Sequence, residues 1–251
     1  MILNIVIQNS KIDIYKEMYE VLSPFYKKFS FVETFFVEYD ETLDCEYEIS
    51  EDILKLKGAE SMIPGLLHKT LDALLALREI GKKYTWIIRS NVSTVINFSA
   101  LSEFLIKNPE TDYFSGWVFN LQWVDPPSGV LDERYFGTIF GSGTMIGFSY
   151  KLINQILRKR HKFKFNLIDD LSIGVFVMEN FPGVICQQIN NNLAHASDGE
   201  LSMETIAKYE NEHNPVAWRT KQVLSQGNRN IDLINMLKII KVLNKVNNVN
   251  T

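Results

Sequence analysis

The sequence predicts an α/β fold, a mostly parallel, twisted sheet flanked by helices on both faces. Short apolar runs rich in β-branched and aromatic residues alternate with segments of helical periodicity. The first run, Ile2-Leu3-Asn4-Ile5-Val6-Ile7, is almost continuously apolar, as a fully covered strand is. A chain of 251 residues with 46% hydrophobic content can also bury one substantial core.

The elements follow in order. Residues 2–8 read as a buried strand, and Gln8-Asn9-Ser10 as the loop that leaves it. A helix is expected over 11–29, and a strand over 31–39 from its β-branched and aromatic mix. A helix over 61–81 places Leu67, Leu71, Leu74 and Leu75 on one face. Residues 84–89 form a short apolar strand that meets the polar stretch Ser90-Asn91-Val92-Ser93. A helix over 98–107 is stopped by Asn108-Pro109. Residues 113–123 are strand-like, 125–129 are a Pro- and Gly-containing loop, and 136–148 are rich in Gly and aromatics. Helices over 150–160 and 169–180 precede a strand over 183–189. The expected organisation is one domain over 1–225, then an amphipathic helix and Asn-rich tail over 226–251. Ligands of such sheets sit beyond the carboxyl ends of the strands, which puts Asn9, Asn91 and Ser93 on the functional edge.

Composition narrows the class. A formal charge of −4 lacks the basic footprint of a nucleic-acid binder. No apolar stretch approaches the roughly 20 residues of a membrane span, and the opening run is short for a signal-peptide core, so a cytoplasmic protein is expected. Cys45 and Cys186 fit reduced core thiols. Two basic segments, 158–164 and the Lys238, Lys241, Lys245 face of the last helix, admit two readings: peripheral contact with an anionic membrane, or a solvated face on a docked helix.

Five segments in chain order resemble the inverting β-1,3-glycosyltransferases that include Fringe and the β-1,3-galactosyltransferases. They are Lys69-Thr70 ahead of an apolar helical stretch, the strand and turn from Trp86 through Asn91-Val92-Ser93 to Asn97, the glycine-rich stretch Phe140–Ser149, Asp169-Asp170-Leu171-Ser172-Ile173-Gly174, and His195. The resemblance spans roughly residues 65–200. It implies a Rossmann-like GT-A fold, a UDP-sugar donor and a glycan or other hydroxyl acceptor. A looser likeness to bacterial and viral glycosyltransferase sequences rests on Arg89-Ser90-Asn91 and extends to Trp218-Arg219-Thr220-Lys221 and Arg229.

An inverting transfer needs a carboxylate to take the acceptor proton and positive charge to receive the leaving diphosphate. Asp170, with Asp169 beside it, is the expected base; acidic residues also suit a helix start for reasons of capping and dipole alone. Asn9, Arg89, Asn91, Ser93, Arg219 and Lys221 are the expected donor contacts, the last two on a loop that could fold over the donor. Gly141, Ser142 and Gly143 are expected on the acceptor side, where Trp117, Trp123 or Tyr135 could stack on sugars. The family's acidic triplet, which binds a divalent cation, aligns with Asn91-Val92-Ser93 and has no carboxylate here. Manganese or magnesium would lean on His195 and the Ser93 hydroxyl, a thin shell for a hard cation. That departure also admits a catalytically degenerate sugar-nucleotide- or glycan-binding protein.

Overall fold

The computed structural model describes residues 1–79, 81, 83–189, 193–195, 199–221 and 229–249. In chain order the first half comprises β1 (Ile2–Ile7), α1 (Asp13–Tyr26), β2 (Val32–Asp40), β3 (Tyr47–Ser50), β4 (Ile53–Lys57), α2 (Gly65–Glu79), β5 (Trp86–Asn91), β6 (Thr94–Ile96) and α3 (Phe98–Lys107). The second half comprises β7 (Tyr113–Ser115), β8 (Val118–Asn120), β9 (Ile139–Gly141), β10 (Met145–Ser149), α4 (Tyr150–Arg158), α5 (Asp169–Asn180), β11 (Gln187–Gln188), β12 (Leu193–His195), α6 (Met203–His213), β13 (Ala217–Arg219) and α7 (Asn230–Val249).

Every residue of β1 is buried, and its side chains divide by the two-residue period of a strand. Ile2 and Val6 face a core built with Met18 and Leu22 of α1, Leu101 of α3 and Ile239 of α7. Leu3, Ile5 and Ile7 face a second core with Leu67, Leu71 and Leu74 of α2, Ile153 of α4 and Phe176 of α5. The apolar run therefore serves two helical layers, one on each side of the sheet.

The main sheet has eight strands in the order β11-β7-β10-β5-β1-β2-β4-β3. β1 is parallel to both β2 and β5, β2 is parallel to β4, and β10 runs antiparallel between β5 and β7. Because β2 and β5 leave β1 in opposite directions, a crevice opens beyond Ile7 and Asn91, where doubly wound sheets hold their ligands. A three-stranded sheet, β12-β13-β6, continues the chain that leaves β5.

Several elements differ from expectation. The strand expected over 113–123 splits: β7 stays in the main sheet while β8 pairs with β9. Ser115 turns the chain there, its hydroxyl donating to the carbonyls of Met145 at 2.9 Å and Trp117 at 3.0 Å. The stretch 136–148 likewise gives two strands, β9 and β10. The segment expected as a loop over the donor carries β13, a strand between β6 and β12. The β3–β4 hairpin, β6, β12 and α6 were not anticipated, the strands among them being too short for periodicity to register. Cys186 is a buried free thiol as expected, but Cys45 is exposed. The apolar side of α7, with Met236, Ile239 and Leu243, is covered within the first core. Among the described residues no helix is long and apolar enough to cross a membrane.

Candidate functional site

The site starts at the head of α5. Ile168 caps this helix without a side-chain hydrogen bond, so Asp169 and Asp170 supply the negative charge at its positive end. The two carboxylates then diverge. Asp169 is buried and forms an ion pair with Arg89, whose guanidinium also donates to the carbonyl of Gly143 and, at 3.1 Å, to Asn91 Oδ1. Asp170 is half-buried. Its Oδ2 accepts the Gly143 N–H at 2.8 Å and its Oδ1 accepts the Leu171 N–H at 2.8 Å. Burial, followed by the neighbouring Asp169 charge, raises the Asp170 carboxyl to about 6, with Gly143 N–H and Arg89 pulling the other way.

Gly143 is where the strand-linking turn meets both groups. A Cβ there would lie 3.0 Å from an Arg89 nitrogen and 3.3 Å from Asp170 Oδ2. The other glycines of this region serve packing. A Cβ on Gly147 would enter the Phe114 ring, one on Gly141 would meet Ser115 Cβ at 2.4 Å, and one on Gly174 would meet Phe140 Cβ at 2.3 Å. Ser142 donates its N–H to Trp117 O at 2.7 Å, and its hydroxyl lies 3.0 Å from that of Thr144. From Trp117 an aromatic row continues along the surface. Trp117 and Phe119 have centroids 5.1 Å apart, and Phe119 and Trp123 6.4 Å. Both tryptophans are exposed.

The other wall of the crevice is basic. Ser93, at the turn after β5, is buried, and its hydroxyl accepts from Arg219 at 2.8 Å. Arg219 also donates to the Thr94 hydroxyl at 3.3 Å, from the strand position that pairs with Thr94. Burial and then the charge of Arg229 lower the Arg219 guanidinium to about 10. Desolvation and the charges of Arg219 and Arg229 hold the Lys221 ammonium below the usual lysine range, although its side chain reaches solvent. Arg229 sits just before α7. It donates to Asp232 Oδ2 and to the Tyr15 hydroxyl, each at 2.7 Å, and stacks over the Tyr15 ring. Asn9 spends Oδ1 on the Lys11 N–H at 2.9 Å, which turns the chain into α1.

Two buried networks hold these walls. The Lys69 ammonium, fully buried, donates to Gln8 O and to both oxygens of Glu60, each at 2.6 Å; Glu60 in turn accepts the Tyr39 N–H at 3.1 Å. This fixes the loop that carries Asn9. Glu210 accepts from Asn97 at 2.9 Å and from Trp218 Nε1 at 3.1 Å, which ties α6 to the strand carrying Arg219. Sequence reading placed Lys69 and Asn97 in motifs without a role, and it missed Tyr15, Glu60 and Glu210. A lysine among leucines on a helix face was the one available sign of a buried pair.

The expected residues thus fall into two groups. Arg89, Asp169, Asp170, Gly143 and Asn91 join in one hydrogen-bonded set, and Ser93 with Arg219 in another. Gly141 and Ser142 flank the first set through backbone contacts. The backbone of His195 pairs in register with Arg219, and its side chain lies outside the described residues. A divalent cation finds little here: Asn91 Oδ1 and the Ser93 hydroxyl are both engaged by guanidinium groups. Among the described residues no three His, Cys, Asp or Glu side chains come together as a metal group. A surface cleft of about 610 Å³, lined by Asn108, Asp112 and Ile185 among others, opens at the start of β7, on the opposite edge of the sheet.

No protein-family model matches the chain, and no curated protein matches it in sequence. Solved structures do. A glycosyltransferase involved in the glycosylation of the major capsid of PBCV-1 is 12% identical, with 94% of this chain and 98% of that one covered and a TM-score of 0.53. The galactosyltransferase LgtC, in complex with donor and acceptor sugar analogues, is 9% identical over 98% and 96% of the two chains, with a TM-score of 0.46. Mouse xyloside xylosyltransferase 1 is 10% identical over 87% and 96%, with a TM-score of 0.42. The first of these shares the α/β, GT-A arrangement across nearly its whole length.

Proposed function

We propose that the chain is a glycosyltransferase that moves a sugar from a UDP-sugar to a hydroxyl of a glycan or glycoconjugate, with inversion. The observation that carries this reading is Asp170: a half-buried carboxylate raised to about 6, at the functional edge of a fold shared with a glycosyltransferase. Such a group is ionised at neutral pH yet more basic than an ordinary aspartate, as a general base for a sugar hydroxyl requires. The acceptor hydroxyl gives its proton to Asp170, and its oxygen attacks the anomeric carbon. The bond from that carbon to the diphosphate oxygen breaks, and its electron pair leaves with UDP. A single displacement of this kind inverts the anomeric centre.

The donor is placed on the basic wall, where Ser93, Arg219 and Lys221 border the carboxyl end of β5. The acceptor is placed on the other side, against Gly143 and the aromatic row from Trp117 to Trp123, whose flat faces suit the apolar faces of sugar rings. Arg89 and Asp169, closed in their ion pair, position the base rather than touch substrate. The likeness to Fringe and the β-1,3-galactosyltransferases supports UDP as the nucleotide.

The test is UDP release from a panel of UDP-sugars, with and without glycan acceptors, by the wild type and by Asp170→Asn. The substitution is expected to abolish transfer and to leave UDP binding within a few-fold. UDP should also stabilise the protein against heat more than ATP or NAD does. Equal stabilisation by every nucleotide, or unchanged turnover in Asp170→Asn, would overturn the reading.

A further inference from the structure

We propose that the leaving nucleoside diphosphate is held by a fixed cluster of Arg219, Lys221 and Arg229 in place of a divalent cation. This rests on the donor reading above and concerns how that donor's charge is met.

The first support is the donor chemistry at the turn after β5. The side chains there are an amide and a hydroxyl, and both already accept from guanidinium groups, Asn91 from Arg89 and Ser93 from Arg219. A hard cation needs charged oxygens, and the two nearby aspartates are otherwise occupied. Asp169 is paired with Arg89, and Asp170 accepts two backbone N–H groups.

The second support is charge. Arg89, Arg219, Lys221 and Arg229 come close enough for the charges of Arg89 and Arg229 to act on Arg219, and those of Arg219 and Arg229 on Lys221. Arg89 and Arg229 have carboxylate partners, Asp169 and Asp232. Among the described residues Arg219 bonds only to the Ser93 and Thr94 hydroxyls, and neither it nor Lys221 meets a carboxylate within 4.0 Å. The excess of positive charge around Arg219 and Lys221 repels a metal ion and complements a diphosphate.

The third support is Arg229 itself. Its Nε is fixed by Asp232, its Nη1 by the Tyr15 hydroxyl, and its plane by the Tyr15 ring. Its Nη2 is buried and, among the described residues, has no hydrogen-bond partner. Buried donors in folded proteins are nearly always satisfied, and a phosphate oxygen is the strongest partner for a guanidinium edge. The anchoring by Tyr15 and Asp232 pre-orders that edge, so little freedom is lost when an anion arrives.

The test is titration calorimetry of the full chain with UDP and with inorganic pyrophosphate, in EDTA and in manganese. Both ligands are expected to bind in EDTA within about three-fold of their affinity in manganese, with Arg219→Ala and Arg229→Ala each weakening both ligands roughly ten-fold or more. Lys221→Ala, which removes an exposed side chain with no carboxylate partner among the described residues, carries the test if Arg229→Ala does not fold; it should weaken both ligands about three-fold or more and steepen no metal dependence. Binding that appears only with manganese, or affinities unmoved by these substitutions, overturns the cluster. Failure of the enzyme reading looks different: pyrophosphate binds in EDTA and responds to the substitutions, while no UDP-sugar is turned over under any condition.

Discussion

The guanidinium of Arg89 and the carboxylate of Asp169 form an ion pair closed to solvent, with only 2% and 4% of the two side chains exposed. The pair joins the middle of β5 to the head of α5 across 80 residues of chain. Arg89 also binds the Gly143 carbonyl, so three separate segments converge on one guanidinium. Asp170, next along the helix, stays outside that ion pair, with its own oxygens steadied by backbone N–H groups.

Removing one partner of this pair strands a buried charge. Arg89→Ala is expected to lower the unfolding free energy by about 3–5 kcal/mol, and Arg89→Lys to recover only part of it, because an ammonium cannot reach Asp169, Gly143 O and Asn91 together. Urea denaturation of the three proteins measures this. A loss of under about 1 kcal/mol in Arg89→Ala would mean that the pair contributes little to folding.

The same pair acts on the titration of Asp170, the proposed base. With Asp170 as the proposed base, turnover requires its ionised form, so kcat/KM should rise with pH through about 6. Asp169→Asn removes the negative neighbour and releases the Arg89 charge, and both changes favour ionised Asp170. The acid limb of the pH–rate profile should therefore move to lower pH in Asp169→Asn. A limb that stays in place, or moves up, contradicts the assignment of that limb to Asp170.

The proposed acceptor side yields a separate expectation. Trp123 is 45% exposed and meets Phe119 only edge-on, so Trp123→Ala should leave the fold intact. It should raise the acceptor KM by about five- to thirty-fold, the equivalent of roughly 1–2 kcal/mol, and leave the slow hydrolysis of donor in the absence of acceptor unchanged. Equal effects on hydrolysis and transfer would remove the aromatic row from the acceptor site.

What the sequence disclosed and what it hid follow the range of the interactions. The strand Ile2–Ile7, the leucine face of α2 and the acidic pair before Leu171 are local patterns, and each sits where local reasoning places it. Arg89 read as a donor contact because it stands at a strand end among polar residues; only the fold brings Asp169 to it. Arg219 read as part of a loop because three residues are too few for a periodic signal, and its strand exists through pairing with Thr94–Ile96, more than a hundred residues earlier. The anchoring of Arg229 by Tyr15 spans 214 positions and leaves no trace in either neighbourhood. Gly141 looked like part of a surface for sugar, yet it is small because Ser115 presses on it, as Phe114 presses on Gly147 and Phe140 on Gly174.

Glu210 links the basic wall to pH. It is 3% exposed and accepts from Asn97 and Trp218, and burial raises its carboxyl from 4.5 to about 7 against the pull of those two donors. A carboxyl with a raised folded-state pKa binds its proton more tightly folded than unfolded. Its contribution to stability is thus whole below about 4.5 and is lost as pH rises through about 7, where the folded protein must carry a buried charge. Glu210→Gln stays neutral throughout. Its NH2 faces one of the two donors in place of an acceptor oxygen, which costs the same amount at every pH and does not add a slope. The difference in unfolding free energy between wild type and Glu210→Gln should therefore shrink between about pH 4.5 and about pH 7.5, by on the order of 3 kcal/mol, and stay level on either side. Urea denaturation across that range reads it directly. Parallel curves would show that Glu210 titrates as an ordinary carboxylate, and a difference that grows with pH would show that the hydrogen bonds from Asn97 and Trp218 outweigh burial. Because Trp218 precedes Arg219 on β13, wild-type affinity for pyrophosphate should weaken toward the alkaline end of the same window more than that of Glu210→Gln.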